Sequence, residues 1–212
     1  MSGILRVWVL IGLALAAGAC TVLPESQPLE VFALPASELE HTAAAAAGAG
    51  RHLRIDAPGA SGLLRSDRIL VAHRDNRLSV YAGARWSAQV PTLWRDHLVD
   101  AFSGAAGFAS VTSDAANLQA DRVLGGTLRA FQVNDAGPSP AVEIRLDARL
   151  IDPGSRRVLA ARRLSVREPA GGRSVENAVR AFGRAGDRLA EQLVSWTLEQ
   201  WESEGRSRNG QK

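Results

Sequence analysis

Hydrophobic and polar residues alternate most regularly along residues 141–151. The apolar positions of this stretch are Val142, Ile144, Leu146, Ala148 and Leu150, and the charged positions between them are Glu143, Arg145, Asp147 and Arg149. A period of two predicts a strand with one face in the core and the other in water. Residues 158–166 predict its hairpin partner, because Pro153 and Gly154 of the intervening turn occupy type II positions.

Shorter apolar or alternating runs predict further strands upstream, at residues 29–34, 52–57, 67–72, 77–82, 108–112 and 121–133. In the run 77–82, Leu78 and Val80 share one face, and Ser79 and Tyr81 share the other. The polar residues 73–76 have the length of a hairpin loop. Gly125 and Gly126 predict a bend in the last of these strands.

Two segments repeat apolar residues at helical spacing. Pro91 suits the first turn of one helix, and its apolar face carries Trp94, Leu98, Ala101 and Phe102. Ser174 can cap a longer helix, whose apolar face carries Val175, Val179, Phe182, Leu189, Leu193, Trp196 and Trp201. We expect that face to pack on the core, the alternative being a groove for a partner. Residues 43–50, nearly all Ala and Gly, are interpreted as a linker or loop rather than a short buried helix.

The order of these elements is strands, a helix, strands and a helix. It favours an α+β fold: a largely antiparallel sheet with two main helices packed on one face. We expect a single domain over residues 29–202, followed by a polar tail at 203–212.

The N-terminus has the layout of an export signal. Arg6 precedes an apolar run that ends in small residues directly before Cys20. The run is short for a membrane-spanning helix. Residues 1–19 are therefore predicted to be a signal peptide, with 20–28 as a tether. The alternative is a plain signal anchor with an incidental cysteine.

The small residues before the cysteine resemble a bacterial lipobox, with Ala17 standing where Leu is usual. In such signals the cysteine thiol receives diacylglycerol, and a peptidase cuts before it, here between Ala19 and Cys20. Lipid on Cys20 is the only prosthetic group we expect. Thr21 follows the cysteine in place of Asp, and by resemblance to sorting rules in enteric bacteria this favours the outer membrane.

The charge and the candidate chemistry point away from catalysis. The formal net charge is only +3, which does not indicate nucleic-acid binding. The pairs Arg156–Arg157 and Arg162–Arg163 are interpreted as a solvated face; the alternative is a polyanion site, with anionic lipid as the first candidate. None of the four histidines stands at metal-ligand spacing, and no phosphate loop or nucleophile elbow is present. We therefore expect no catalytic and no metal-binding residue.

Residues 66–108 carry a family resemblance. They read Asp67-Arg-Ile-Leu-Val, then Arg77-Leu-Ser-Val-Tyr81, then Arg85-Trp86, then a helix from Pro91. This order, with the lipobox and the long final helix, resembles the ABC-type transport auxiliary lipoproteins, including the PqiC-like proteins.

The resemblance implies a docking role without catalysis. Such proteins are similar to outer-membrane accessory subunits of MCE-type intermembrane transport, which carries phospholipid or another hydrophobic molecule. The implied partner is an MCE-domain periplasmic protein of an ABC transporter, and a homo-oligomer is also compatible.

By position, Tyr81, Arg85 and Trp86 form the candidate partner patch. The alternative is that Trp86 caps the core edge and Tyr81 pairs across a strand. Two other functions remain open, namely a lipoprotein assisting assembly of lipopolysaccharide or β-barrels, and a lipid-anchored hydrolase.

Overall fold

The computed structural model of the chain describes residues 28–39, 50–116 and 118–209. Within these residues, eight strands form one sheet, on which two α-helices pack. The strands are β1 (Glu30–Phe32), β2 (His52–Ile55), β3 (Arg68–Ala72), β4 (Leu78–Trp86), β5 (Ser110–Ser113), β6 (Arg122–Asn134), β7 (Ala141–Ile151) and β8 (Val158–Pro169). The helices are α1 (Val90–Gly104) and α2 (Val175–Asn209).

The long strand β6 organises the sheet. One of its edges pairs with β7 along its whole length, and β8 follows β7. Its other edge is shared by two strands: β2 pairs with the start of β6 and β3 with its end. Beyond β2 lies β5, and beyond β3 lie β4 and then β1.

The expectation of a largely antiparallel sheet is wrong, because four of the seven strand pairings in the described part of the chain are parallel. These are β1 with β4, β2 with β5, β2 with β6 and β3 with β6. The antiparallel pairings are the β3–β4 hairpin and the β6–β7–β8 meander. Parallel strands need long crossovers, so the paired residues are far apart in sequence, as Leu53 and Arg122 are. The alternation of polar and apolar residues predicts individual strands and hairpins, but it does not predict which distant strands pair.

The β7–β8 hairpin forms as predicted, but its turn differs. Asp152 Oδ1 accepts the backbone N–H groups of Gly154 and Ser155, each at 2.9 Å. The left-handed residue is Arg156, with φ of 57°, and not Gly154. The type II prediction is therefore wrong, since that turn requires a positive φ at Gly154.

Of the two glycines of β6, Gly126 serves a close approach between strands. A Cβ atom on Gly126 would lie 2.3 Å from the backbone oxygen of Asp147 on β7. The irregularity in register comes slightly later than predicted, between Leu128 and Ala130, where Arg129 is the additional residue.

Both helices lie on one face of the sheet, as expected. The helix α2 packs along β7 and β8 and against α1, and α1 also contacts β2 and β5. Ser174 caps α2 by accepting the N–H of Asn177 at 3.3 Å. The helix runs to Asn209 and so includes part of the segment predicted to be a polar tail. An apolar sequence is not required there, because the backbone hydrogen bonds of a helix continue without it.

The core between helices and sheet is aromatic at its centre. Phe131 of β6 stacks on Phe182 of α2 with ring centroids 4.6 Å apart, and Trp86 meets Phe182 edge-on at 5.2 Å. Trp94 of α1, predicted to be in the core, is fully buried and packs beside Phe131 at 6.2 Å. The opposite side of the sheet, the open face, carries the alternate residues of each strand, including the charged residues of β7. None of the described helices is long and apolar enough to cross a membrane.

Candidate docking surface

Trp86, the first of the three predicted patch residues, belongs to the core. Its side chain is 1% exposed and lies against Phe131 and Phe182. Of the two interpretations of Trp86, packing is the one that this burial supports. Its indole is not available to a docked protein.

Tyr81 is half-buried and packs on the same core. The inward and outward alternation of side chains along β4 shifts by one residue at Gly83, which has a φ of 69°. Tyr81 before this glycine and Trp86 after it therefore both face the core. Burial raises the pKa of the Tyr81 hydroxyl, and the negative charge of Asp135 raises this pKa further.

Arg85 points to solvent on the open face. Its guanidinium Nη1 lies 3.5 Å from Asp67 Oδ2. The charged neighbours of Tyr81 are different ones, Asp135, Arg173 and Glu176. The structure therefore does not join Tyr81, Arg85 and Trp86 into one exposed patch.

A different surface takes shape around Arg85. Seven large hydrophobic residues are exposed in the described part of the chain, and four of them lie on or beside β1 and β4. We call these four the apolar edge: Leu29 (48% exposed), Val31 (52%), Leu78 (46%) and Val80 (38%). Val31 is the register partner of Arg85.

The apolar edge borders an open strand edge. Among the described residues, β1 pairs only with the segment Ala84 to Trp86 of β4. The outer edge of β4 from Leu78 to Ala82 therefore keeps backbone N–H and C=O groups without a described strand partner. Such a row of groups is a template for another extended chain.

Sequence alternation placed Leu78 and Val80 correctly on one face but left open which face it was. They share the open face, since Val80 is in register with Leu70 and Gln132 rather than with residues under the helices. An apolar pair on a face that elsewhere carries charges is the signal that could have indicated a docking surface.

Residues 33–39, which we call the strap, cross from β1 over the two helices. The Ser37 hydroxyl donates to Asp187 Oδ1 at 2.8 Å, and the Ser37 backbone N–H donates to Asp100 Oδ2 at 2.9 Å. A Cβ on Gly183 would lie 2.9 Å from the ring of Pro35, so the absence of a side chain there makes room for the strap.

His97 is buried beneath the strap. Its Nδ1 lies 3.1 Å from the carbonyl oxygen of Pro35, and its Nε2 lies 3.4 Å from Asp187 Oδ1. The ring stacks on Trp94 at 5.7 Å, and Gly186 provides space for it. The histidine therefore helps to fasten the strap onto α1 and α2.

The strap brings together the three residue types of a hydrolase triad, namely Ser37, His97 and Asp187, but their hydrogen bonds do not connect them as a triad requires. In a triad the histidine contacts the serine hydroxyl and takes its proton. Here the serine donates to the carboxylate, and the imidazole contacts the carboxylate and a backbone carbonyl. This arrangement holds a segment in place and gives Ser37 no general base.

The predicted lipid-attachment residue Cys20 and the predicted cleavage between Ala19 and Cys20 lie outside the described residues. Within the described ranges, no group of three or more His, Cys, Asp or Glu side chains could hold a metal ion.

Comparison with known proteins gives relatives of the same architecture. Protein XCC0632 from Xanthomonas campestris superposes with a TM-score of 0.73 at 26% identity, over 83% of this chain and 99% of that one. A second solved structure, of an uncharacterized protein, has a TM-score of 0.63 at 15% identity and shows the fold alone.

A curated relative adds sequence similarity. The uncharacterized protein bll6063 of Bradyrhizobium diazoefficiens is 32% identical over 148 residues, which are 69% of this chain. The aligned part is 39% of that relative, so this chain corresponds to less than half of its length.

The family assignment rests on a family model. It describes an ABC-type transport auxiliary lipoprotein component and matches residues 32–194, which include strands β2 to β8, the helix α1 and more than half of α2. A lipoprotein family implies membrane-anchored localisation in the cell envelope. The chain belongs to the ABC-type transport auxiliary lipoprotein component family.

Proposed function

We propose that this protein is an outer-membrane-anchored lipoprotein on the periplasmic face, and that it acts as a non-catalytic docking subunit of an ABC/MCE-type system for intermembrane transport of phospholipid. Its partner in this proposal is the MCE-domain periplasmic protein of the transporter. The family's description as a transport auxiliary component supports the general role.

The observation that carries the docking role is the apolar edge beside an open strand edge. Exposed Leu78 and Val80 lie on β4, whose outer backbone groups there have no strand partner among the described residues. An extended segment of the partner can add to β4 there, so that backbone hydrogen bonds supply affinity and alternate side chains supply specificity. Arg85, beside Val31, is the charged residue at the end of this surface.

Affinity capture tests the identity of the partner. The full-length lipidated protein is purified from gently solubilised envelopes, and the co-purifying proteins are identified by mass spectrometry. We expect an MCE-domain protein. Recovery of a β-barrel assembly protein in its place would contradict the transport role and favour a role in envelope assembly. Recovery of only further copies of this chain would also contradict the docking role.

Substitution tests the docking surface. We expect the double variant Leu78→Asp/Val80→Asp to capture at least tenfold less partner. The substitutions remove two apolar interface contacts and place negative charges beside the strand edge, which opposes pairing. Leu63 (47% exposed) and Leu118 (54%) are at least as exposed and lie outside β1 and β4. Leu63→Asp/Leu118→Asp is therefore the matched control, and it should retain capture. Equal loss in both variants would contradict the assignment of the surface.

A further inference from the structure

The open face of the meander β6–β7–β8 is dominated by arginine. Residues in register on neighbouring strands share a face, so five arginines of these strands lie together. We call this group the arginine face, and its members are Arg129, Arg145, Arg149, Arg163 and Arg167.

The carboxylates of the arginine face are already engaged. Asp147 accepts from Arg129 at 2.7 Å and from Arg163 at 2.9 Å. Hydrogen bonds from these two arginines hold the pKa of the Asp147 carboxyl below its usual value. Glu143 lies 3.1 Å from Arg145. Arg149 and Arg167 have no carboxylate within ion-pair distance among the described residues.

The adjoining hairpin tip adds two more arginines. Arg156 and Arg157 are exposed, and neither is ion-paired among the described residues. The only carboxylate of the turn, Asp152, is occupied by the backbone N–H groups of Gly154 and Ser155. Arg156 holds a left-handed conformation that favours Gly or Asn, at a cost of about 1 kcal/mol. Because the backbone at this position would favour Gly or Asn, its conformation does not explain why an arginine is found there.

This part of the described surface carries an excess of positive charge. The arginine face and the hairpin tip contain seven arginines against Glu143, Asp147 and Asp152, an excess of four positive charges. The formal net charge of the entire chain is +3. The remaining residues of the chain therefore carry about one net negative charge between them.

Small side chains lie between the arginines and leave a shallow surface there. Ala161 stands opposite Arg149, and Ser165 stands opposite Arg145. A shallow depression of about 260 Å³ lies between Asp147, Arg149 and Arg163 over Ala161. Its guanidinium-lined rim suits a phosphate group, which arginine binds through two parallel N–H donors.

We propose that the arginine face binds the phosphate groups of anionic phospholipids in the leaflet that holds the lipid anchor. Among the described residues, no exposed aromatic or large aliphatic side chain stands among the five arginines, and exposed Val158 adjoins only the hairpin tip. A protein interface would normally have such an anchor at its centre, whereas a row of arginines on a nearly flat face matches a layer of headgroups.

Because the predicted anchor already holds the domain at the membrane, weak contacts between the arginine face and lipid headgroups are enough to orient it. Cys20 precedes Glu30 by ten residues, and ten extended residues span at most about 35 Å. The domain therefore stays next to the membrane surface, and a modest attraction shifts its orientation.

The arginine face and the apolar edge can serve two partners at once. The apolar edge lies on β1 and β4 and the arginine face on β6, β7 and β8, with β3 between them. Each step of a twisted sheet turns by about 20–25°, so the two surfaces face different directions. Binding of lipid at the arginine face leaves the apolar edge accessible.

A fluorescent label on the arginine face tests the proposal. Ser165→Cys places a thiol between Arg163 and Arg167, and the proposed lipid on Cys20, the only native cysteine, leaves no second thiol for the label. The lipidated protein is reconstituted into vesicles that contain a headgroup-bound nitroxide quencher. We expect strong quenching in vesicles with phosphatidylglycerol and little in vesicles of phosphatidylcholine alone. The quenching should fade at 1 M salt, where the screening length falls to about 3 Å.

Charge variants complete the test. We expect Arg149→Gln/Arg167→Gln to weaken docking about 25-fold, since each arginine near an anionic surface contributes about fivefold. The control Arg65→Gln/Arg180→Gln removes the same charge elsewhere and should dock normally. A label at Ser195→Cys, exposed on α2, should not be quenched. Equal quenching at position 165 in both kinds of vesicle, or equal effects of the two charge variants, would overturn the proposal. This outcome is independent of the captured transport partner.

Discussion

At the scale of single residues, burial decides which aromatic residue is structural. Trp86 meets Phe131 and Phe182 at the centre of the core, and its indole N–H has no hydrogen-bond acceptor among the described residues. Its contribution is therefore the packing of a large apolar surface, and the unpaired N–H reduces that contribution.

Trp86→Ala should lower the free energy of unfolding by about 3–5 kcal/mol, the usual cost of removing a large buried aromatic side chain. Trp86→Phe should cost clearly less, because it retains a ring and removes the unpaired donor. Urea denaturation of both variants measures the difference. If Trp86→Ala kept native stability but lost the captured partner, the packing role would be wrong.

At the scale of elements, the sequence predicts what is local. The hairpin β7–β8, the cap at Ser174 and the apolar faces of both helices follow from the spacing of neighbouring residues. The parallel pairings of β6 with β2 and β3 do not, because they depend on crossovers that no local pattern records. For the same reason the apolar edge was missed: the inward or outward direction of Leu78 and Val80 depends on strands paired at a distance.

One ion-paired cluster ties α2 to the edge strand β8. Glu168 of β8 accepts from Arg184 at 2.9 Å and also from Arg188, one turn further along α2. Burial alone would raise the pKa of the Glu168 carboxyl, but the hydrogen bonds from the two arginines outweigh it and leave this pKa below its usual value. A lowered pKa in the folded state means that the cluster stabilises the protein above the unfolded-state pKa, near 4.3.

Glu168→Gln should therefore cost about 1 kcal/mol at pH 7, a value typical of partly exposed ion pairs. The difference from the native protein should shrink as the pH falls below about 4, because the native carboxylate is then protonated. Urea denaturation across this pH range is the measurement. Glu199→Gln, exposed on the same helix and without an ion pair among the described residues, is the control. A cost for Glu168→Gln that did not change with pH would contradict the ionic origin.

At the scale of the whole molecule, the N-terminal segment connects the predicted anchor to every layer of the fold. Strand β1 joins the sheet at β4, and the strap is then fastened to both helices through Ser37, Asp100 and Asp187. A restraint at the membrane therefore acts on the sheet and the helices together.

Cys20→Ser should separate folding from localisation. In the proposed lipoprotein the thiol accepts the diacylglycerol and cleavage before residue 20 follows that step, so the variant should accumulate uncut and outside the outer-membrane fraction. Thr21→Ser, which changes the next residue and leaves the thiol, is the control and should be processed normally. Fractionation of envelopes, the mass of the N-terminus and the resistance of the domain to proteolysis give the three readouts. We expect native resistance in Cys20→Ser, because the strap and β1 are unchanged. Normal cleavage and outer-membrane fractionation of this variant would contradict lipid attachment at Cys20, and with it the geometry in which the arginine face meets the anchored leaflet.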